Sequence, residues 1–434
     1  MSTGLKKKNI RTERIIWGIA LFLWSMLTLG MIVDYHQNGK TPADCATYFH
    51  ALEQYSKQLS PYNTIEASQA QWMSIHHLEE QVLSGSIDEF PGEKISGPFL
   101  YPPTLLQLMQ FLHLTPIGFL IGLLISLVLF SWLWIRLNKL SVWWLLFFLF
   151  SWDILASFTL GNIEIILLTC TLITAYGIYT KRVVRVAPLI AFIGLVKPFY
   201  VLFFVAFGLL LLANNDEDRT KNGRSMIPGA GVTLLLLIMG WLLWPGWIRP
   251  DVIDFLSNGT AHSWYILPLA DQTPMSIWNR TFMQGLVSVG ISASIAQICS
   301  LIAWCILTLI SIRLVWNKHL PFSILFAFSL LLFYWFRPVG WSLIFLDVIV
   351  LSAIWPYTGS LQKRALLSVG ILFALTHWLA LIKTGELEWL RLVTLQSATF
   401  PWETWFVFPA AFLLLFWITY QQAMKRLTDI SNSK

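Results

Sequence analysis

Residues 186 to 213 read VAPLIAFIGLVKPFYVLFFVAFGLLLLA, apolar from end to end except at Lys197-Pro198. Proline supplies no backbone donor and pushes the residue before it away from helical angles, so the stretch reads as a broken pair of half-helices. The topology of the whole chain turns on that reading. A hairpin that starts and ends on one side leaves the alternation of the following spans unchanged, whereas a single crossing inverts it.

The same apolar character repeats outward from the hairpin. A helix needs roughly 20 mostly apolar residues to cross the hydrocarbon core of a bilayer. Such stretches lie near 15–34, 116–137, 143–158, 164–180, 226–245, 286–312, 320–336, 339–356, 366–382 and 404–421. They predict an all-α polytopic membrane protein, a single domain over 1–434, with about ten full spans, the broken re-entrant pair and further helices in outer-face loops. Composition agrees, with 56% hydrophobic and 12% charged residues and a mean hydropathy of +0.65. A soluble domain covers itself with more polar side chains than this.

Charge sets the expected orientation. The segments 1–14, 136–142, 181–185, 214–225, 313–319, 357–365 and 422–434 fall on one side and carry about 20 of the 29 basic residues, among them Lys6, Lys7, Lys8, Lys181, Arg182, Arg185, Lys425 and Arg426. That side, with both termini, is expected in the cytoplasm. The large opposite loop, 35–99, is acidic: Asp44, Glu53, Glu66, Glu79, Glu80, Asp88, Glu89 and Glu93 face only Lys40, Lys57 and Lys94. The net charge of +6 is therefore an orientation signal and gives no support to nucleic-acid binding. The first apolar run, Ile15 to Val33, is too long for a signal-peptide core and lacks a small-x-small cleavage site, so it reads as an uncleaved helix. Of Cys45, Cys170, Cys299 and Cys305 only Cys45 lies on the outer side, which makes no disulfide framework and no metal spacing.

With no P-loop, dinucleotide fingerprint or internal repeat, chemistry is expected in the outer segments 35–99, 246–285 and 383–403. A helix is expected from Ala43 to about Leu59, along the membrane surface. Asp44 follows Thr41-Pro42, where it is either a helix N-cap or a general base one turn before Tyr48. Ser60-Pro61-Tyr62 ends the segment, and Tyr101-Pro102-Pro103 returns the chain to the membrane. Lys197 is costly in an apolar stretch; it either meets an anion at the proline break, or snorkels or pairs with a structural carboxylate. Arg337, beside Pro338, is a second candidate anion ligand. Glu164, Asp153 and Asp347 lie in or near spans, where they either bind sugar hydroxyls or join helices. His76-His77 has no third ligand at metal spacing. Trp264, Tyr265 and Trp278 offer aromatic faces in the second outer loop.

The order of these motifs, Asp44-x-x-x-Tyr48, Pro61-Tyr62, Tyr101-Pro102-Pro103, Gly161-Asn162, Lys197-Pro198 and Arg337-Pro338-Val339-Gly340-Trp341, resembles glycosyltransferase family 87. The resemblance covers about three quarters of the chain. It departs where Ser342, Leu343 and Ile344 follow Trp341 in place of the family's usual histidines, and where Asn162 stands for a usual glutamine. What it implies is the C-type glycosyltransferase fold and inverting transfer of a hexose, typically mannose, from a polyprenyl-phosphate carrier to a lipid-linked or envelope glycan. Asp44 is then the base, Lys197 and Arg337 hold the donor phosphate, and Tyr48, Tyr62, Tyr101, Asn162 and Trp341 shape the pocket. No metal or other cofactor is called for. The implied location is a bacterial inner membrane with the site on the periplasmic or external face. Two other classes fit a polytopic chain: a transporter or flippase of lipid-linked sugars, and a catalytically silent binding homologue. The first is expected to show matched broken helices in two halves, and the sequence has one clear break.

Overall fold

Proline and capping chemistry mark out the helices of the bundle. Thr115-Pro116 opens a helix at Pro116–Leu137: the Thr115 hydroxyl oxygen accepts from the Gly118 N–H at 3.1 Å, and Pro116 occupies the first turn, where its missing N–H costs nothing. The computed structural model describes residues 2–39, 41–62, 101–150, 152–214, 216–257, 282–288, 290–336, 349, 352–353 and 355–357. Among them every regular element is helical: α1 (Ser2–Asn38), α2 (Ala43–Ser56), α3 (Thr104–Phe111), α4 (Pro116–Leu137), α5 (Trp144–Phe150), α6 (Trp152–Thr159), α7 (Glu164–Tyr179), α8 (Val183–Val196), α9 (Tyr200–Asn214), α10 (Asp216–Leu242), α11 (Arg249–Ser257), α12 (Phe282–Ser288), α13 (Ala293–Val315), α14 (Phe322–Phe336) and a short 3-10 turn at Trp355–Tyr357.

The chain is a helical membrane protein. Four of its helical stretches, Thr12–Asn38, Pro116–Leu137, Gly223–Leu242 and Ser294–Val315, are long and apolar enough to cross a bilayer, and four shorter apolar ones cover Glu164–Tyr179, Val183–Val196, Tyr200–Asn214 and Phe322–Phe333. The expected spans at 366–382 and 404–421 lie outside the described residues, as does most of 339–356.

Several expected boundaries move. The stretch 143–158 is helical over Trp144–Phe150 and Trp152–Thr159, on either side of residue 151, which lies outside the described residues. The stretch 286–312 is divided around Gly290, which takes φ +93, with α13 starting only after Ser292. Helix also runs through two polar segments read as connections: α1 starts at Ser2 and α10 at Asp216. In α1 the lysines, arginines and glutamate are good helix formers, so a helix of apolar sequence extends back through them; in α10 the acidic Asp216, Glu217 and Asp218 lie in the first turn, where they suit the helix dipole.

At the decisive stretch the chain breaks where the proline demands it. Lys197 has the extended angles φ −145 and ψ 86, and it separates α8 from α9. Glycines let the neighbouring helices close on this hairpin. A Cβ on Gly229 would lie 2.3 Å from Val183 Cγ1 and one on Gly240 2.2 Å from Leu195 Cδ1, so α8 and α10 run parallel and in close contact. Aromatic rings fix α9 against α14, with Phe203 5.3 Å from Phe326 and Tyr200 4.8 Å from Phe333.

The bundle therefore has two ends. One gathers α2, the Tyr101 segment, the start of α7 and the tip of the hairpin. The other gathers the turns around Lys181 and Lys318, where Asn317 N–H donates to Ala213 O at 2.9 Å and His319 N–H to Asn214 O at 3.0 Å.

Candidate functional site

α2 supplies the carboxylate. Its buried stripe is Cys45, Tyr48, Ala51 and Tyr55, while His50 and Glu53 face out, the spacing of a helix with one packed face. An N-cap role for Asp44 is corrected here: Pro42 takes the cap position and Asp44 lies within the first turn. Instead its backbone N–H donates to Leu160 O at 3.0 Å. Gly161 permits that approach. It holds φ +72, and a Cβ there would stand 2.9 Å from Cys45 Cβ and 3.1 Å from Pro42 Cβ, so only a residue without a side chain fits the turn.

The next residue, Asn162, is buried and held in one orientation. Its side-chain oxygen accepts from the Glu164 N–H at 2.8 Å, and its side chain also hydrogen-bonds Asp44. Glu164, 2% exposed in its side chain, accepts from Lys197 Nζ at 2.7 Å. The proline break thus presents the lysine to the turn that carries Asn162. Lys197 Nζ also lies over the Tyr101 ring at 5.5 Å and the Phe199 ring at 5.8 Å, where the ring faces attract a cation.

Tyr101 joins the parts. Its hydroxyl meets that of Tyr48 at 3.2 Å, the two rings stand edge to face at 5.4 Å, and its carbonyl accepts from the Tyr62 hydroxyl at 2.8 Å. The Tyr48 oxygen in turn accepts from the Ile163 N–H at 3.4 Å. Pro102 and Pro103, both buried, give the Tyr101 segment a stiff backbone.

Electrostatics follow from this packing. Burial pushes the Asp44 carboxyl up to about 7, with the nearby Glu164 charge in the same direction, while Lys197 and the Asn162 hydrogen bond oppose it. Burial, with the Asp44 charge, lifts the Cys45 thiol to about 12. It also holds the Tyr48 hydroxyl well above its ordinary value, the charges of Tyr101 and Asp44 adding to the effect. At neutral pH Tyr48, Tyr62 and the thiol are neutral, and Asp44 sits near the midpoint of its titration. A carboxylate so poised takes up and releases a proton at little cost.

Six of the expected site residues, Asp44, Tyr48, Tyr62, Tyr101, Asn162 and Lys197, thus meet at one end of the bundle from four separate segments. Arg337 and Trp341 lie outside the described residues, as do His76, His77, Asp347, Trp264, Tyr265, Trp278 and the side chain of Asp153. Glu164, read as a sugar ligand or a helix-joining group, is the partner of Lys197. The signal for it was a carboxylate opening an apolar helix two residues after Asn162. The four cysteines are free. Among the described residues no group of three or more His, Cys, Asp or Glu is placed to hold a metal ion. No protein-family model, curated protein or solved structure matches the chain.

Proposed function

We propose that this protein is an inverting membrane glycosyltransferase of the C-type fold, resembling glycosyltransferase family 87. It moves a hexose, mannose by that resemblance, from a polyprenyl-phosphate carrier to a lipid-linked or envelope glycan. In this reading the chain has about ten spans in a bacterial inner membrane, both termini are cytoplasmic and the reaction occurs at the external face. The observation that carries the reading is the gathering at a helix break of the Asp44 carboxyl and the ammonium of Lys197, paired with Glu164, framed by Tyr48, Tyr62, Tyr101 and Asn162. A base and a cation in one site suit an acceptor hydroxyl and a donor phosphate.

The chemistry balances on these groups. The acceptor oxygen bonds to the anomeric carbon as its proton passes to the Asp44 carboxylate. The bond from that carbon to the phosphate oxygen breaks, and its electron pair leaves with the phosphate. A phosphate monoester needs little protonation to depart, so one carboxylate suffices where a glycosidase uses two. Lys197 offsets the negative charge that grows on the leaving group. Displacement from the opposite side inverts the anomeric centre.

The test is a transfer assay with purified protein in lipid, offering radiolabelled polyprenyl-phosphate mannose, glucose and arabinose to a membrane glycolipid extract. Transfer by the wild type, lowered by about a hundredfold or more in Asp44→Asn, is the expected result. Near-normal turnover by Asp44→Asn removes the aspartate from the mechanism. Donor binding without transfer by the wild type moves the reading to a silent binding homologue.

A further inference from the structure

Three charged side chains share the site, Asp44, Lys197 and the buried Glu164, and the lysine is not shared evenly. Lys197 Nζ makes its 2.7 Å ion pair with Glu164. Toward Asp44 it acts as a nearby charge, while Asn162 supplies that carboxylate's hydrogen bond. Glu164 is fixed in place by its own turn: its backbone N–H donates to Asn162, the same side chain that hydrogen-bonds Asp44. One asparagine thus connects to both acidic residues, and the lysine's ion pair is with Glu164.

We propose that Glu164 is a positioning residue that claims Lys197 and so keeps its ammonium from closing an ion pair on Asp44. The inference deepens the reading of Asp44 as a base and rests on it, because a tight Lys197 pair would leave that carboxylate ionised but poorly able to accept a proton. An opposite charge in direct contact typically lowers a carboxylate's pKa by about one to three units. Such a shift would carry Asp44 from about 7 to the range of an ordinary acid. The division of labour also holds the lysine in a fixed position toward an arriving phosphate, with its Nζ 5.5 Å from the Tyr101 ring and 5.8 Å from the Phe199 ring.

Among the described residues, the other titratable groups near Asp44 do not do this work. On α2 itself Cys45 and Tyr48 are neutral at physiological pH, since burial raises both. Tyr101 reaches the site through the Tyr48 hydroxyl. α3 (Thr104–Phe111) contains no titratable residue, and the one on α4 (Pro116–Leu137), Arg136, lies in its last turn at the far end. Among the described residues, the charges that act on Asp44 are those of Lys197 and Glu164.

The experiment reads Asp44 directly and needs no substrate. Full-length protein in lipid is titrated by infrared difference spectroscopy, with the Asp44 carboxyl band assigned by its loss in Asp44→Asn. In Glu164→Gln the midpoint is expected to fall by about one unit or more, because a negative charge is removed and the lysine is released toward Asp44. In Lys197→Met it is expected to rise. Release of the lysine also predicts non-additivity: Lys197→Met shifts the midpoint further in the Glu164→Gln background than in the wild type. An unchanged or higher midpoint in Glu164→Gln overturns the proposal, and so do equal Lys197→Met shifts in the two backgrounds, since Glu164 then contributes its charge alone. Glu164→Asp, which keeps the charge but withdraws it by one methylene, gives a smaller fall and serves if Glu164→Gln does not fold. Where transfer is measurable, the acid limb of its pH profile moves with the midpoint. A shifted midpoint without any transfer sustains the positioning role and defeats the glycosyltransferase reading.

Discussion

At one end of α9 the chain is held by charge, and at the other by a neutral amide. The tip that precedes Tyr200 is fixed by the Lys197–Glu164 ion pair. The opposite end is fixed by Asn214, 4% exposed, whose side-chain nitrogen donates to Leu320 O at 3.0 Å and whose oxygen accepts from Leu320 N–H at 2.7 Å. Both devices pin a turn. The cations at the amide end, Lys181, Arg182, Arg185, Arg313 and Lys318, stay exposed, as expected of residues that face headgroups and water. One asparagine is thus sufficient to lock a turn of this bundle, so gathering a lysine, two carboxylates and three tyrosines at the other end, with Glu164 and Tyr48 buried, is more than structure requires. Buried ion pairs gain little net stability over apolar packing, and such clusters concentrate where chemistry is done.

Breaking the charged end should cost most. Lys197→Met leaves Glu164 buried without its ammonium, a loss of about 3–5 kcal/mol where a buried pair is broken from one side. The same change at exposed Lys318 should stay within about 0.5 kcal/mol. Thermal unfolding of both variants in the same lipid gives the comparison directly, and equal melting temperatures would mean that water reaches the Glu164 carboxylate.

Gly161→Ala comes next. A side chain at φ +72 with its Cβ 2.9 Å from Cys45 costs about 1–3 kcal/mol in backbone strain, and α2 must shift to make room. Because Leu160 O accepts from the Asp44 N–H, that shift moves the carboxylate itself. Transfer should fall by more than the stability loss alone explains, which activity measured well below the melting temperature will reveal.

Asn214→Ala tests the neutral end. It strips partners from the Leu320 N–H and carbonyl, about 1–3 kcal/mol for buried groups left unsatisfied. Asn214 lies at the opposite end of α9 from Asp44, so turnover per folded molecule should hold while the melting temperature drops. A parallel loss of turnover would show that the two ends are coupled through α9.

Much of this arrangement was legible from local rules. Thr115-Pro116 set the start of α4, and Lys197-Pro198 set the hairpin break, because capping and proline chemistry act within a few residues. The break at Gly290 within 286–312, and the helical course of the polar segments before Ile15 and after Asp216, were not. Apolar periodicity does not register a break within an apolar run, and charged residues of high helix propensity look like connections. The grouping of Asp44, Tyr62, Asn162 and Lys197 came from the order of motifs alone, for no spacing rule joins residues so far apart in the chain. That Glu164 takes the lysine, and that Asn214 clasps Leu320, are tertiary facts. Their residue types gave candidates, and only the packing chose the partners.

The smallest expected effect is also the most discriminating within the charged end. Tyr48→Phe keeps the ring, and with it the edge-to-face contacts to Tyr101 at 5.4 Å and to Phe119 at 5.6 Å. It removes two long hydrogen bonds, the 3.2 Å contact with the Tyr101 hydroxyl and the 3.4 Å bond accepted from Ile163 N–H. The stability loss should be about 0.5–1.5 kcal/mol. For function the consequence passes through Tyr101, whose ring underlies Lys197: a loosened ring weakens the hold on the cation and therefore on a donor phosphate. The expected pattern is a donor KM raised by less than tenfold with kcat nearly unchanged, read from initial rates over a donor series. A collapse of kcat approaching that of Asp44→Asn would instead place the Tyr48 hydroxyl on the path of the proton, since a tyrosine that only props its neighbour cannot slow the chemical step once the donor is bound.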